Sequence, residues 1–175
     1  MPNATLNEAT TAWVGARDID SRSPSVRRRR MELQRYALRL LAEGRPVSSQ
    51  ALMAASEAPY DEIAEFMSQA RKGGAVFDGD GNLLGLALSL HPTPHKFRVA
   101  GRGLFAWCSL DTMFLPGLIG QTAEIESTCP VTGANIRLTV SPDGPSDVNP
   151  VETALSIVIP GGISGCDAVG PAGSV

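Results

Sequence analysis

The segment Cys108-Ser109-Leu110-Asp111 puts a thiol and a carboxylate three residues apart. On a helix or turn that spacing brings both groups to one side, within reach of each other. Near a helix start the dipole favours the thiolate, the form that attacks electrophiles and binds soft metals. Asp111 could then accept or deliver a proton at the same spot. The plainer reading treats Cys108 as a small buried hydrophobe and Asp111 as an ordinary first-turn acid, and pattern alone favours it.

The other reactive side chains offer less. Three cysteines cannot all pair, so a disulfide scaffold is excluded and any special cysteine works as a thiol. Cys129 lies in a turn beside Pro130 and Thr132-Gly133 with no acid or histidine next to it, and is expected to be structural. Cys166 falls in a glycine-rich tail. His91 and His95 have the step of a helical zinc site, but Pro92 and Pro94 forbid the helix and no Cys-x-x-Cys supplies further ligands. Asp78 to Asn82 opens like a calcium loop, yet the positions that need Gly and Glu hold Leu83 and Ser89, so it reads as a hairpin turn.

The whole chain sets the frame for these groups. Its 175 residues are 43% hydrophobic and 19% charged, enough for one domain or two small ones sharing a core, and not globally disordered. No apolar run approaches the roughly 20 residues that cross a bilayer, and Met1 to Thr10 lacks a signal-peptide core, so the cytosol is expected. The net charge of −3 is uneven: residues 1–50 are basic, the remainder acidic, and no Lys or Arg follows Arg137.

Residues 1–24 read as a flexible polar leader with a short amphipathic turn around Trp13. Arg27–Arg30 opens a helical pattern through Met31, Leu33, Tyr36, Ala37, Leu40 and Leu41, stopped by Gly44 and Pro46. A short helix over Ala51–Ala55 and a third beginning at Pro59 follow. A hairpin then joins residues 75–77 to 83–90. Three helices and a hairpin are the order of a winged helix. Against DNA reading, four cations at a helix start oppose the dipole, and the third helix carries Asp61, Glu62 and Glu65 where base-reading side chains belong. Further on, 96–100, 122–127, 135–140 and 154–159 read as strands, 104–119 as a helix or two, and 141–150 as a linker. Residues 161–175, with five Gly and the single charge of Asp167, read as a disordered tail.

The block Gly103-Leu-Phe-Ala-Trp-Cys-Ser-Leu-Asp-Thr-Met-Phe-Leu-Pro-Gly-Leu-Ile-Gly120 resembles the motif of organomercurial (alkylmercury) lyases. Ser127-Thr-Cys129, Thr132-Gly133-Ala134 and Leu138-Thr-Val-Ser-Pro142 continue the likeness, and Leu40 to Ser48 and Asp78 to Leu90 extend it upstream. It covers roughly residues 33 to 160, and its Trp-Cys-x-Leu-Asp core is specific.

That resemblance implies an α+β fold. A winged-helix-like N-terminal helical part (25–95) would pack on a mixed β-sheet lyase core (96–160). It implies protonolysis of a carbon–mercury bond to a hydrocarbon and Hg²⁺. By motif, Cys108 matches a catalytic cysteine and mercury ligand, Asp111 the catalytic aspartate and second ligand, and Cys129 a structural cysteine. The metal belongs to substrate and product, so no cofactor is expected beyond external thiols. Expected partners are an organomercurial and a thiol carrier or mercuric reductase that accepts Hg²⁺, with no nucleic acid and no membrane. One departure stands out. The family's second catalytic cysteine, in a Phe-Cys…Val-His-Phe-Phe type motif, has no counterpart; its register falls near Pro171, and Cys166 is the remaining candidate. A truncation or frameshift past Pro160 is the preferred explanation. A lyase using Cys166 and a non-catalytic mercury binder are the alternatives, and a winged-helix DNA-binding or metal-sensing regulator using Arg27–Arg30 is the rival from another class.

Overall fold

In the computed structural model, which describes residues 23–155, the first helical pattern becomes α1 (Pro24–Leu41). Proline at the first turn costs no hydrogen bond there, and the helix buries Leu33, Ala37, Leu38 and Leu41. Helix α2 (Ser49–Ser56) is capped by Ser48, whose Oγ accepts the Ala51 N–H at 3.1 Å. Helix α3 (Tyr60–Lys72) carries Asp61 and Glu62 in its first turn and Arg71 and Lys72 in its last, matched to its dipole. The Arg29 guanidinium donates to Glu62 at 2.9 Å, tying α1 to α3.

Strand β1 (Val76–Phe77) turns into β2 (Leu83–Leu86) through the Asp78 carboxylate, which accepts the N–H groups of Asp80 and Asn82. The acid therefore closes a hairpin turn. The chain continues through β3 (Leu88–Ser89), β4 (His95–Val99) and β5 (Arg102–Ala106) to helix α4 (Ser109–Ile119). It ends in β6 (Ala123–Thr128), β7 (Asn135–Ser141) and β8 (Gly144–Asn149).

All eight strands form one sheet in the order β1-β2-β3-β5-β4-β6-β7-β8, with strands from both sides of position 95. The α+β class holds, but the mixed sheet does not: every pairing is antiparallel. The reason lies in the connections. Parallel neighbours need a crossover, and the two connections that skip a strand, β3 to β4 across β5 and β5 to β6 across β4, each leave an antiparallel strand between their ends.

One sheet face buries Phe97, Val99, Leu104, Ala106, Ala123 and Ile125, with α4 packed over it and α1 against α4. The other face is charged and open, with Lys96 pairing Glu126 at 2.7 Å and Arg137 reaching the same carboxylate at 3.6 Å. Antiparallel sheets tolerate one solvated face in this way.

Several local expectations fail: the single hairpin arm expected over 83–90 reverses at Ala87 into β2 and β3, which pair with each other. Leu104–Ala106 belongs to strand β5 rather than to a helix, because a short apolar run fits a buried strand and a buried helix equally well. Residues 144–149, expected within a linker, form the edge strand β8, paired to β7 through backbone bonds that need no apolar pattern. Ala154 and Leu155 are not in a strand. The rest of that expected strand, nearly all of the leader, the tail and Cys166 lie outside the described residues.

Candidate active site at the start of helix α4

Strand β5 delivers Cys108 to the first position before α4. Its backbone is extended (φ −141°, ψ 167°), as an N-cap residue requires. Two reciprocal bonds then close a capping box. The Cys108 N–H donates to Asp111 Oδ2 at 3.0 Å, and the Asp111 N–H donates to Cys108 Sγ at 3.4 Å. The three-residue spacing thus brings thiol and carboxylate to one side of the helix start. Asp111 is buried, and its negative charge lies where the helix dipole favours it. Thr112 Oγ1 donates to the Ser109 carbonyl at 2.7 Å and tightens the same turn.

The helix start does not activate the thiol in the free protein. Burial of the sulfur pushes Cys108 up to about 11, and the adjacent Asp111 carboxylate pushes the same way. As a residue Cys108 is nevertheless exposed, so the protein packs around its sulfur while leaving a path from solvent. The backbone N–H groups of Asp111 and Leu110, which favour the thiolate, do not offset burial and the neighbouring negative charge. Cys129 differs. It is half-exposed, and hydrogen bonds from Thr132, led by its side chain, and from the Val131 backbone hold its thiol below the ordinary value. Its backbone closes the β6–β7 turn, donating to the Ala134 carbonyl at 2.8 Å and accepting from Gly133 at 2.9 Å.

This contrast gives an expected result. At pH 7.5, iodoacetamide should label Cys129 well before Cys108, read by fragment-ion mass spectrometry. Equal rates would contradict the environments described, since the thiolate is the reacting form.

The sheet register places a further pair beside these groups. Ala106, His95 and Ser127 form one rung across β5, β4 and β6, so Cys108 and Cys129 each follow two residues beyond it at the same sheet end. His95 Nδ1 and Ser127 Oγ lie 2.9 Å apart, and burial lowers the imidazole below its usual value. Sequence reasoning set His95 aside with His91, because strand pairing of residues 95 and 127 leaves no local signal. Among the described residues no group of three His, Cys, Asp or Glu side chains is assembled to hold a metal ion. A groove of about 340 Å³ lies on the charged sheet face, lined by Lys96, Arg98, Glu124 and Arg137 among others, away from the thiol.

The sequence model of the alkylmercury lyase family matches residues 88–170, a span that includes β3 to β8 and the Cys108–Asp111 box. An alkylmercury lyase of Pseudomonas putida is 45% identical over 123 residues, 70% of this chain and 57% of that protein. One of Staphylococcus epidermidis is 41% identical over 128 residues, 73% of this chain and 58% of that protein. The chain belongs to the alkylmercury lyase family. The crystal structure of the mercury-bound form of MerB2 superposes with a TM-score of 0.52 at 27% identity, over 62% of this chain and 54% of that one. This alkylmercury lyase family member therefore spans just under three fifths of the length of the relatives named here.

Proposed function

We propose that the chain cleaves the carbon–mercury bond of organomercurials by protonolysis, with Cys108 as nucleophile and mercury ligand and Asp111 as proton relay and second ligand. The observation that supports it is the capping box, which holds a thiol and a carboxylate against each other in a chain of this family.

The Cys108 thiol displaces the anionic ligand of R–Hg–X, forming Cys108–S–Hg–R, and its proton passes to the Asp111 carboxylate. Mercury is a soft cation, and thiolate is the side chain that suits it best. Sulfur donation makes the attached carbon more basic. Asp111 then returns the proton to that carbon, R–H leaves, and mercury stays on Cys108 until external thiols remove it. The raised thiol is compatible with this order, because mercury itself displaces the proton at the moment of binding. Cys129 serves the β6–β7 turn. No resident cofactor enters, and Hg²⁺ passes to a thiol carrier or mercuric reductase.

The three helices and the β1–β2 hairpin act in this reading as a winged-helix-like scaffold. The regulator reading has no observation in its favour, since Arg29 is tied to Glu62 and Glu32 and the hairpin is built into the sheet. No helix among the described residues is long and apolar enough to cross a membrane. The proposed enzyme works in the cytoplasm.

The test incubates the full chain with phenylmercuric acetate and excess thiol. Benzene in the headspace and Hg²⁺ in solution are expected; mercury bound without benzene would leave the non-catalytic binder. Cys166→Ser adds a second arm: loss of turnover makes Cys166 the second thiol ligand, and unchanged turnover removes it from the site.

A further inference from the structure

Trp107 separates the last residue of β5 from Cys108, and its placement depends on a reversal in the N-terminal half. Strands β2 and β3 turn back on each other about a single residue, Ala87, with Gly85 opposite Ser89 and Leu86 opposite Leu88. Ala87 adopts φ +63°, a left-handed conformation that a non-glycine residue enters only when its surroundings hold it there. Its carbonyl accepts the Trp107 N–H at 2.9 Å. That bond fixes the backbone one residue before the Cys108 cap.

The indole is seated by the same reversal. A Cβ built on Gly85 would lie a tight 3.2 Å from Ser89 Oγ and in contact with Trp107 Nε1 at 3.4 Å, so a methyl there fits only if Ser89 or the indole gives way. Glycine inside a strand marks such a close approach. Ser89 is itself buried, and its Oγ accepts the His91 N–H at 3.0 Å, which limits its retreat.

We propose that Gly85 and Ala87 are positioning residues: the β2–β3 reversal seats the Trp107 indole and peptide, and so aims the Cys108 thiol at Asp111. The proposal rests on Cys108 being the reacting thiol, as above. It gives the N-terminal hairpin region a part in the site, and its readouts require no carbon–mercury cleavage, so its failure is separate from failure of the lyase reading.

The experiment uses the full chain in a Trp13→Phe background, leaving Trp107 as the sole tryptophan, excited selectively over the tyrosines. Gly85→Ala pushes a methyl at the indole, loosens the cap and lets the Cys108 sulfur into water. A shifted Trp107 emission maximum is expected, with Cys108 alkylated by iodoacetamide about threefold faster or more at pH 8. Gly79→Ala, whose added Cβ meets nothing within 4 Å, is expected to change neither. In a Trp107→Phe background, where the smaller ring leaves the methyl its space, Gly85→Ala should leave the alkylation rate within about a factor of two. If Gly85→Ala alone does not fold, the pair with Trp107→Phe should fold. Unchanged emission and alkylation in Gly85→Ala, equal acceleration in both backgrounds, or unfolding of both variants would overturn the proposal.

Discussion

Replacing Cys108 with serine is expected to lower hydrocarbon release by about three orders of magnitude or more. Serine is a better N-cap than cysteine, and its Oγ can accept the Asp111 N–H that Sγ now accepts at 3.4 Å. The helix start should therefore survive, and the melting temperature should hold or rise slightly. A hydroxyl binds a soft cation poorly, so what is lost is the mercury–sulfur bond and with it the electron density that makes the carbon basic. Headspace analysis of benzene from phenylmercuric acetate, beside thermal denaturation of both proteins, checks both halves. Turnover within tenfold of the parent would remove Cys108 from the chemistry.

Asp111→Asn separates two roles that the wild-type carboxylate combines. The amide oxygen can still accept the Cys108 N–H, so the capping box persists, but the side chain can no longer carry a proton. Turnover should fall about 10²- to 10⁴-fold, the usual worth of a positioned acid–base group. Reactivity of the thiol should move the other way. The carboxylate charge is among the causes that hold Cys108 up at about 11. Without it the thiol moves down toward its ordinary value, the thiolate fraction at pH 8 rises, and alkylation of Cys108 accelerates. Slower turnover with faster alkylation identifies proton relay. Both falling together would indicate a collapsed cap. Asp111→Ala also removes the N3 half of the capping box, leaving the Cys108 N–H without its side-chain acceptor.

Much of this site was legible before any fold was known, because a capping box is a local device. Spacing of three residues in a tight first turn puts Cys108 and Asp111 on one side of the helix start, and that much can be read locally. The helices α1 to α3 were legible for a similar reason: their apolar stripes and stop signals act within a few turns. The electrostatic sense of the thiol was not. Dipole reasoning favoured the thiolate, whereas burial of the sulfur beside a carboxylate raises Cys108, and the depressed thiol is Cys129.

Strand identity divided along the same line. The alternating segments at 96–100, 122–127 and 135–140 announced themselves, but Leu104–Ala106 reads equally as helix, and Gly144–Asn149 has no apolar period at all. Gly85 in a strand interior was the one available hint of a close approach, and its meaning required knowing that Trp107 lay opposite.

By itself, then, the order of residues determined the helices and the thiol–carboxylate pair, since both rest on contacts a few positions apart, and its motif block carried the resemblance to the family. Tertiary structure alone decided the antiparallel order of eight strands, the His95–Ser127 pairing, the seat beneath Trp107 and the sulfur's reluctance to ionise. These depend on which distant segments exclude water from one another, and burial of that kind is a property of the assembled fold.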